Sequence, residues 1–572
     1  MKKTILIYTM LIMALPLFSQ DKIKNKVVEG SWYKEAPENG KIGVDIEGAK
    51  NLLKGKKMLK TPIVALVGTG ADIEHEALKQ SVWVNPNEKP NVDHDKNGYV
   101  GDINGWNFLG SKNGQSMEKT LSEANREWLR LRDKYADIYF DGKEYFVLED
   151  NARKKVNRPE NMNEYTYFNN LKWLETNGLA NKYGGYKVSF LLKEYVEKWD
   201  KEILKMYPGK TRAEIPGQEA LKSMYDASIK MDSLKTLAVS FVGIYGGVYK
   251  GSQKGEKKNF SWEILYNNFN NKQIPVSKKA FDNAFLKNGD DHRKAIVGDD
   301  PYNISDTKYG NNHVFTASSA FGTTTSGIIA GHDVNDNGFS GIIPEAKIMN
   351  LVVSAQQGDP YLKDVALAIK YAVDKNADVI VLSQQSMLYP DEQKTWVYDA
   401  IRQAEKKGIL IIVPAWEKGD NMDRIAYYPR REPLNGGAFT NLMVVANSDS
   451  KGLPSKLANY GPQSLDMFVP GELVYAPLPG DIYNLINSSS NGAAVAAGCA
   501  ALIKSYFPQL SGADIRNLLM DNVTLKKGVE VEKTIVINGK QSVDLFLFEQ
   551  LCTSAGILNL KNSVRAALKI KR

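Results

Sequence analysis

Histidine and cysteine are the scarce residues of this 572-residue chain: five of the first (His75, His94, His292, His313, His332) and two of the second. Any site that needs imidazole as acid, base or ligand must draw on those five positions. Two cysteines cannot build the disulfide framework of a small secreted scaffold. Cys499 lies among small apolar residues and reads as a buried free thiol rather than as half of a Cys499–Cys552 bond. Long apolar runs are missing as well. The longest, Thr4 to Leu17, has 14 residues, short of the roughly 20 that span a bilayer. Nor is there a block of one charge. Lys and Arg number 74 against 66 Asp and Glu, a net +8, but the signs are interspersed, which does not indicate nucleic-acid binding. With 43% apolar and 24% charged residues the chain can bury a large core, and disorder, collagen and coiled coil are excluded.

What the N-terminus does contain is a basic start, Met1-Lys2-Lys3, the apolar run, and Phe18-Ser19-Gln20 at a plausible cut. Residues 1–20 therefore read as a signal peptide, and the protein as exported, periplasmic or secreted. No cysteine stands at the cut, so neither a lipid anchor nor a membrane anchor is expected.

Beyond an N-terminal segment (21–60), Ile63 to Val67 is a short apolar run ending in Gly68-Thr69-Gly70, the pattern of a buried parallel strand entering a tight turn. From 111 to 300 the composition shifts to Lys, Glu, Asn and Tyr, with helical spacing of Trp128, Leu131, Tyr135, Ile138 and of Phe190, Leu191, Tyr195, Trp199. This predicts a largely helical insertion. Its aromatic stripes read as the insertion's own core, with a partner-binding groove as the alternative. After residue 320 strands (Lys347–Val353, Asp378–Ser383, Ile409–Ala415, Leu442–Asn447) alternate with helices (Leu362–Val373, Glu392–Lys407). The expected fold is α/β, a doubly wound, mainly parallel sheet in two parts (61–110 and 301–525), with 526–572 packed on it as an extension.

Asn491 to Tyr506 carries almost no side-chain bulk, and Ser488-Ser489-Ser490 precede it. Such a helix belongs in the centre of a domain. The serines at its N-terminus read either as a nucleophile or anion site or as a plain N-cap.

Three ordered segments, Val64–Leu78, Phe321–Gly331 and Ser488–Pro508, together with Leu457–Gly471, resemble the subtilisin-like serine proteases, the subtilases, of the exported bacterial kind. The resemblance implies a nucleophile at Ser490. It also implies three losses. Gly68 stands where the family has its orienting aspartate, Phe321 where it has the histidine base, and Glu417 where it has the asparagine that donates to the oxyanion. Ser383-Gln384-Gln385 replaces an open glycine of the substrate cleft, and Trp416 replaces a small residue, so the cleft is expected to be partly plugged. Removing triad members costs on the order of 10⁴–10⁶ in turnover, and a lost oxyanion donor roughly 10²–10³. The expected function is thus a pseudoprotease that binds a protein or peptide partner or acts as a scaffold. The alternative is an active endopeptidase with an unrecognised base and oxyanion donor. Asp72, His75 and His313 lie near enough in sequence to be considered as replacements, but spacing gives no reason to expect it, and Asp72 and His75 read as polar residues of a surface turn.

Asp93, Asp95, Asn97, the Tyr99 carbonyl and Asp102 alternate around Gly98 in the manner of a calcium loop, with Asn104 where the usual bidentate glutamate stands. Calcium and a hydrogen-bonded Asx-rich turn are equally compatible with that spacing. Asp333 to Gly338 is a shorter echo, better read as a loop.

Overall fold

The computed structural model describes residues 29–149, 152–175, 177–228, 260–334, 338–383, 389–433, 436–537 and 540–570. The signal-peptide region and Gln384-Gln385 lie outside the described residues, as does part of the Asp333–Gly338 loop. The chain forms two compact units. One runs to Thr120 and resumes at Arg293; the other is Leu121–His292. Residues 111–120 and 293–300, which composition groups with the insertion, belong to the sheet unit, where Met117 and Val297 join its core.

In chain order the strands are β1 (Ile63–Gly68), β2 (Gly105–Asn107), β3 to β5 in the inserted unit (Tyr139–Phe140, Tyr145–Glu149, Ala152–Val156), β6 (Lys347–Val352), β7 (Val379–Leu382), β8 (Leu410–Pro414), β9 (Leu442–Ser448), β10 (Met467–Pro470), β11 (Val474–Leu478), β12 (Ile482–Ile486), β13 (Thr524–Leu525), β14 (Glu530–Ile537), β15 (Lys540–Leu547) and β16 (Gly556–Ile557). Nine of them make one sheet in the order β13-β16-β10-β9-β8-β7-β1-β6-β2. Every neighbouring pair is parallel except β13 with β16.

Alternate residues of the central strands feed two separate cores. Val64, Leu66, Val379, Val381, Leu410 and Ile412 face the alanine-rich helix Asn491–Tyr506. Ala65, Val67, Ile380, Leu382, Ile411 and Val413 face the helices Leu362–Asp374 and Asp391–Lys406. A sheet covered on both faces needs apolar side chains on both, which is why these strands read as unbroken apolar runs. The crossover from β6 to β7 passes β1, so the C-terminal end of β1, where Gly68 lies, is the place where an open α/β sheet forms its crevice. Both cysteines are free and buried.

The inserted unit holds helices Glu123–Tyr135, Met162–Leu174, Leu179–Met206, Gly217–Ser228, Trp262–Asn267 and Ile274–Asn288, with a small antiparallel sheet β3-β4-β5 that the helical spacing did not announce. Trp128, Leu131 and Tyr135 pack with Tyr165 and Phe168. Tyr195 and Trp199 pack with Ile215 and Trp262. The stripes are core.

Where the chain returns from the insertion, Arg293 is anchored in the sheet unit by four charge-assisted bonds. Its guanidinium donates to Asp299 (2.8 and 2.8 Å) and to Asp364 (2.7 and 2.8 Å). Lys363 donates to Asp299 at 2.7 Å, and the Tyr309 hydroxyl to Asp364 at 2.5 Å. All four charges are buried. Breaking a buried set of this kind leaves carboxylates uncompensated. Arg293→Ala is therefore expected to lower unfolding free energy by about 3–5 kcal/mol, read as a shifted urea midpoint with unchanged slope.

Candidate functional site

The site is set by close backbone approach. A β-carbon on Gly322 would lie 1.7 Å from the Gly70 carbonyl oxygen, so the first turn of helix Ala320–Ala330 rests directly on the loop that leaves β1. Thr69 reinforces the contact by accepting the Gly322 N–H at 3.1 Å. On the other side, the alanine-rich helix begins with Ser490 as its N-cap. These contacts bring Gly68, Phe321 and Ser490 to one cavity of about 30 Å³, lined also by Thr325, Leu382 and Ser383. No histidine is among its lining residues.

At Gly68, where the resemblance implies the orienting aspartate, the space is filled. A β-carbon on Gly68 would lie 2.8 Å from Ser383 Cβ, because Ser383 follows β7 directly and β7 pairs with β1 (Val67 opposite Leu382). The Ser383 hydroxyl is 3.2 Å from that of Ser354. At the histidine position Phe321 is 56% exposed, an apolar ring at the mouth where the resemblance implies a base.

Ser490 Oγ lies 2.8 Å from Ser488 Oγ. A second hydroxyl cannot take a proton at neutral pH, so this pair supplies orientation without a base. The N–H groups at this helix start are engaged. Gly492 donates to Asn447 Oδ1 at 2.9 Å and Asn491 to the Ser488 carbonyl at 3.1 Å. Asn447 holds the segment from the other side by donating to the same carbonyl at 2.7 Å.

Glu417 does not line the cavity; it contacts Asn447 Nδ2 at 3.4 Å. Burial, reinforced by the Glu472 charge, pushes its carboxyl above the usual range despite Asn447 and Lys533. Lys533 on β14 is 2% exposed, its amine has no hydrogen-bond partner, and burial lowers it from 10.5 to about 8 against the pull of Glu417. Trp416 packs on Tyr427 (ring centroids 6.1 Å) beneath Lys418, in the apolar cluster under the β14–β15 hairpin, rather than lining the cavity.

Asp72 and His75 are buried, not surface residues. Asp72 accepts the Gly480 N–H at 2.9 Å, and His75 Nδ1 accepts that of Ala77 at 3.1 Å while its ring meets Tyr483 edge-on. They tie the loop after β1 to the β11–β12 hairpin. His313 contacts the Gly114 carbonyl.

Of the expected calcium ligands, Asp95 and Asp102 come together, joined by Glu88, which spacing alone did not suggest; their oxygens lie within 4.8 Å of one another, a group that could hold a metal ion. Asp93 instead accepts the Asn97 and Gly98 N–H groups (3.0 and 3.1 Å), Asn97 donates its amide to Asp102 at 2.7 Å, and the Tyr99 ring packs on Trp106 and Tyr371. The Lys375 ammonium bonds Asp95 and lies 3.7 Å from Asp102. Asp102 further accepts from Tyr371 (2.7 Å) and Asn85 (2.9 Å). Burial opposes ionisation of Asp95, but Lys375 and Asn85 outweigh it and hold the carboxyl below its usual range.

The family model of the subtilases, Subtilase family, matches residues 60–542. The chain belongs to the subtilase family. The major intracellular serine protease of Bacillus subtilis is 28% identical over 38% of this chain and 64% of its own length. Subtilisin BL of Lederbergia lenta is 28% identical over 38% of this chain and 72% of its own. The chain thus spans less than two thirds of the first of these relatives. Among solved structures, the prenylagaramide maturation protease PagA is similar over 43% of this chain and 82% of that chain, at 21% identity and a TM-score of 0.35. As a subtilase, the chain has a subtilisin-like α/β sheet, and no helix among its described residues is long and apolar enough to cross a membrane.

Lys533 gives this subtilase a measurable signature. Its proton is held less tightly folded than unfolded, so the unfolded state binds more protons between about pH 8 and pH 10.5. Stability should rise with pH across that window, with the full penalty present below it. Lys34, lowered to about 8 by burial, contributes with the same sign. Lys533→Met is expected to remove its share of the rise and to add about 1–3 kcal/mol at pH 7, read from urea unfolding over that pH range.

Proposed function

We propose that this subtilase is an exported pseudoprotease that acts by binding a protein or peptide partner, as regulator or scaffold. One observation carries the reading: the cavity that unites Gly68, Phe321 and Ser490 has no base among its described lining residues, and the Ser490 hydroxyl meets that of Ser488. Serine hydrolysis needs a group that takes the hydroxyl proton within about 3 Å, and without it the nucleophile loses on the order of 10⁴–10⁶ in turnover.

The second reading, a working serine endopeptidase, is favoured by retention of Ser490 and by relatives named as proteases. A fluorophosphonate probe separates the two, since it phosphonylates serines, with loss of fluoride, only where a base and an oxyanion site activate them. The native protein is expected to stay unlabelled and indistinguishable from Ser490→Ala. Labelling that disappears in Ser490→Ala overturns the pseudoprotease.

For the acidic loop we infer that Lys375 takes the place of the cation the spacing suggested. Asp95 and Asp102 are already met by an ammonium, a phenol and amides, and a divalent ion there would face the Lys375 charge. EDTA is expected to leave the melting temperature unchanged, whereas Lys375→Gln, which strips the positive charge from a carboxylate cluster, should melt lower and recover with millimolar calcium. A fall of several degrees on EDTA treatment of the native protein would instead place calcium in the loop.

A further inference from the structure

The C-terminal hairpin ends in an edge that no other strand among the described residues covers, with Gln550 accepting the Leu547 N–H at its last position at 2.8 Å. β14 and β15 pair antiparallel over eight positions, from Glu530 opposite Leu547 to Ile537 opposite Lys540. β14 is held on its far side, where the Val536 N–H donates to the Gly419 carbonyl at 3.2 Å. β15 has β14 as its sole strand partner among the described residues. Alternation places Val543, Leu545 and Leu547 on one face, and these are 63%, 61% and 39% exposed. Edge strands of monomers are normally blunted by proline, bulges, short length or outward lysines. β15 has no proline and no bulge, is eight residues long, and carries its one lysine at its first position.

We propose that β15 is the interface for a second copy of this chain, pairing antiparallel with its counterpart about a twofold axis through Leu545. The residues select this register. A twofold contact must set a surface against itself, and antiparallel strands keep their faces only when residues of like parity oppose each other. An axis at Asp544 would set two carboxylates directly opposite. An axis at Val543 would leave Leu547 beyond the partner's strand. An axis at Leu545 sets Leu545 against itself, Val543 against Leu547 and Asp544 against Phe546, so that six apolar side chains adjoin on one face and no like charges meet. Glu530 and Glu532, on the same face of β14, stay one strand removed from the seam. The pairing depends on nothing at Ser490 and stands apart from the pseudoprotease reading.

Sedimentation velocity of the purified protein over a concentration series tests it. A monomer–dimer equilibrium is expected, in the micromolar range typical of small interfaces, with Leu545→Lys dimerising at least tenfold more weakly and melting like the parent. Cysteine pairing tests the register without relying on that substitution. Because Cys499 and Cys552 are buried, the parent should give no covalent dimer under mild oxidation, while Leu545→Cys should dimerise through its new thiol and Leu286→Cys, at a position 86% exposed in the inserted unit, should not. A monomer at tens of micromolar, a dimer indifferent to Leu545→Lys, or failure of Leu545→Cys to cross-link ahead of Leu286→Cys overturns the proposal. A monomer whose β15 instead captures an extended peptide would be one such result.

Discussion

Everything at the candidate site depends on how closely backbones approach one another around the end of β1. Gly322 sits on the Gly70 carbonyl with no room for a β-carbon, and Gly498 meets Ile342 with a β-carbon's distance of only 2.8 Å. The alanine-rich helix follows the same rule along its length. Small residues let two helices and a strand end converge, and that convergence, not any catalytic bond, is what places positions 68, 321 and 490 around one cavity. A scaffold held by packing does not depend on the polar groups a reaction needs, because close-packed interiors respond to volume.

Packing and charge balance also shape the surroundings of the site. Ser383 occupies the space beside Gly68, Ser488 bonds the Ser490 hydroxyl, and Asn447 engages the helix start. Lys533 reaches from the C-terminal hairpin toward Glu417 without bonding it, so each member of that pair is displaced toward its neutral form. At the acidic loop Lys375 bonds Asp95. Apart from Ser488, which stands two residues before Ser490, these contacts join residues far apart in sequence.

That distance explains what the sequence could and could not reveal. The parallel strands and their covering helices were legible because unbroken apolar runs such as Leu410–Pro414 and stripes such as Val365, Ile369 and Val373 are local signals. Ser490, Gly68 and Phe321 were found through ordered motifs, and the structure brings them together. Glu417 was found the same way but stands off the cavity, 3.4 Å from the Asn447 amide. Lys533, Glu88 and Lys375 were missed because nothing local marks them; their roles exist only through pairing across the sheet or across loops. Asp72 and His75 look like turn residues in one dimension and are buried only because the β11–β12 hairpin folds over them. The Asn538-Gly539 dipeptide between alternating runs was an available hairpin signal, and it would have foreshadowed β14 and β15. The β3–β5 sheet, short and set in a helical composition, carried no comparable mark.

On the pseudoprotease reading, Ser490 sits in an intact scaffold with no activating base among the described residues. The most direct measure of that reading is the initial rate of hydrolysis of an unfolded protein substrate such as casein, by the purified protein and by Ser490→Ala prepared in parallel. Equal rates, both at background, are the result this account predicts. Turnover that the native protein supports and Ser490→Ala abolishes would contradict it.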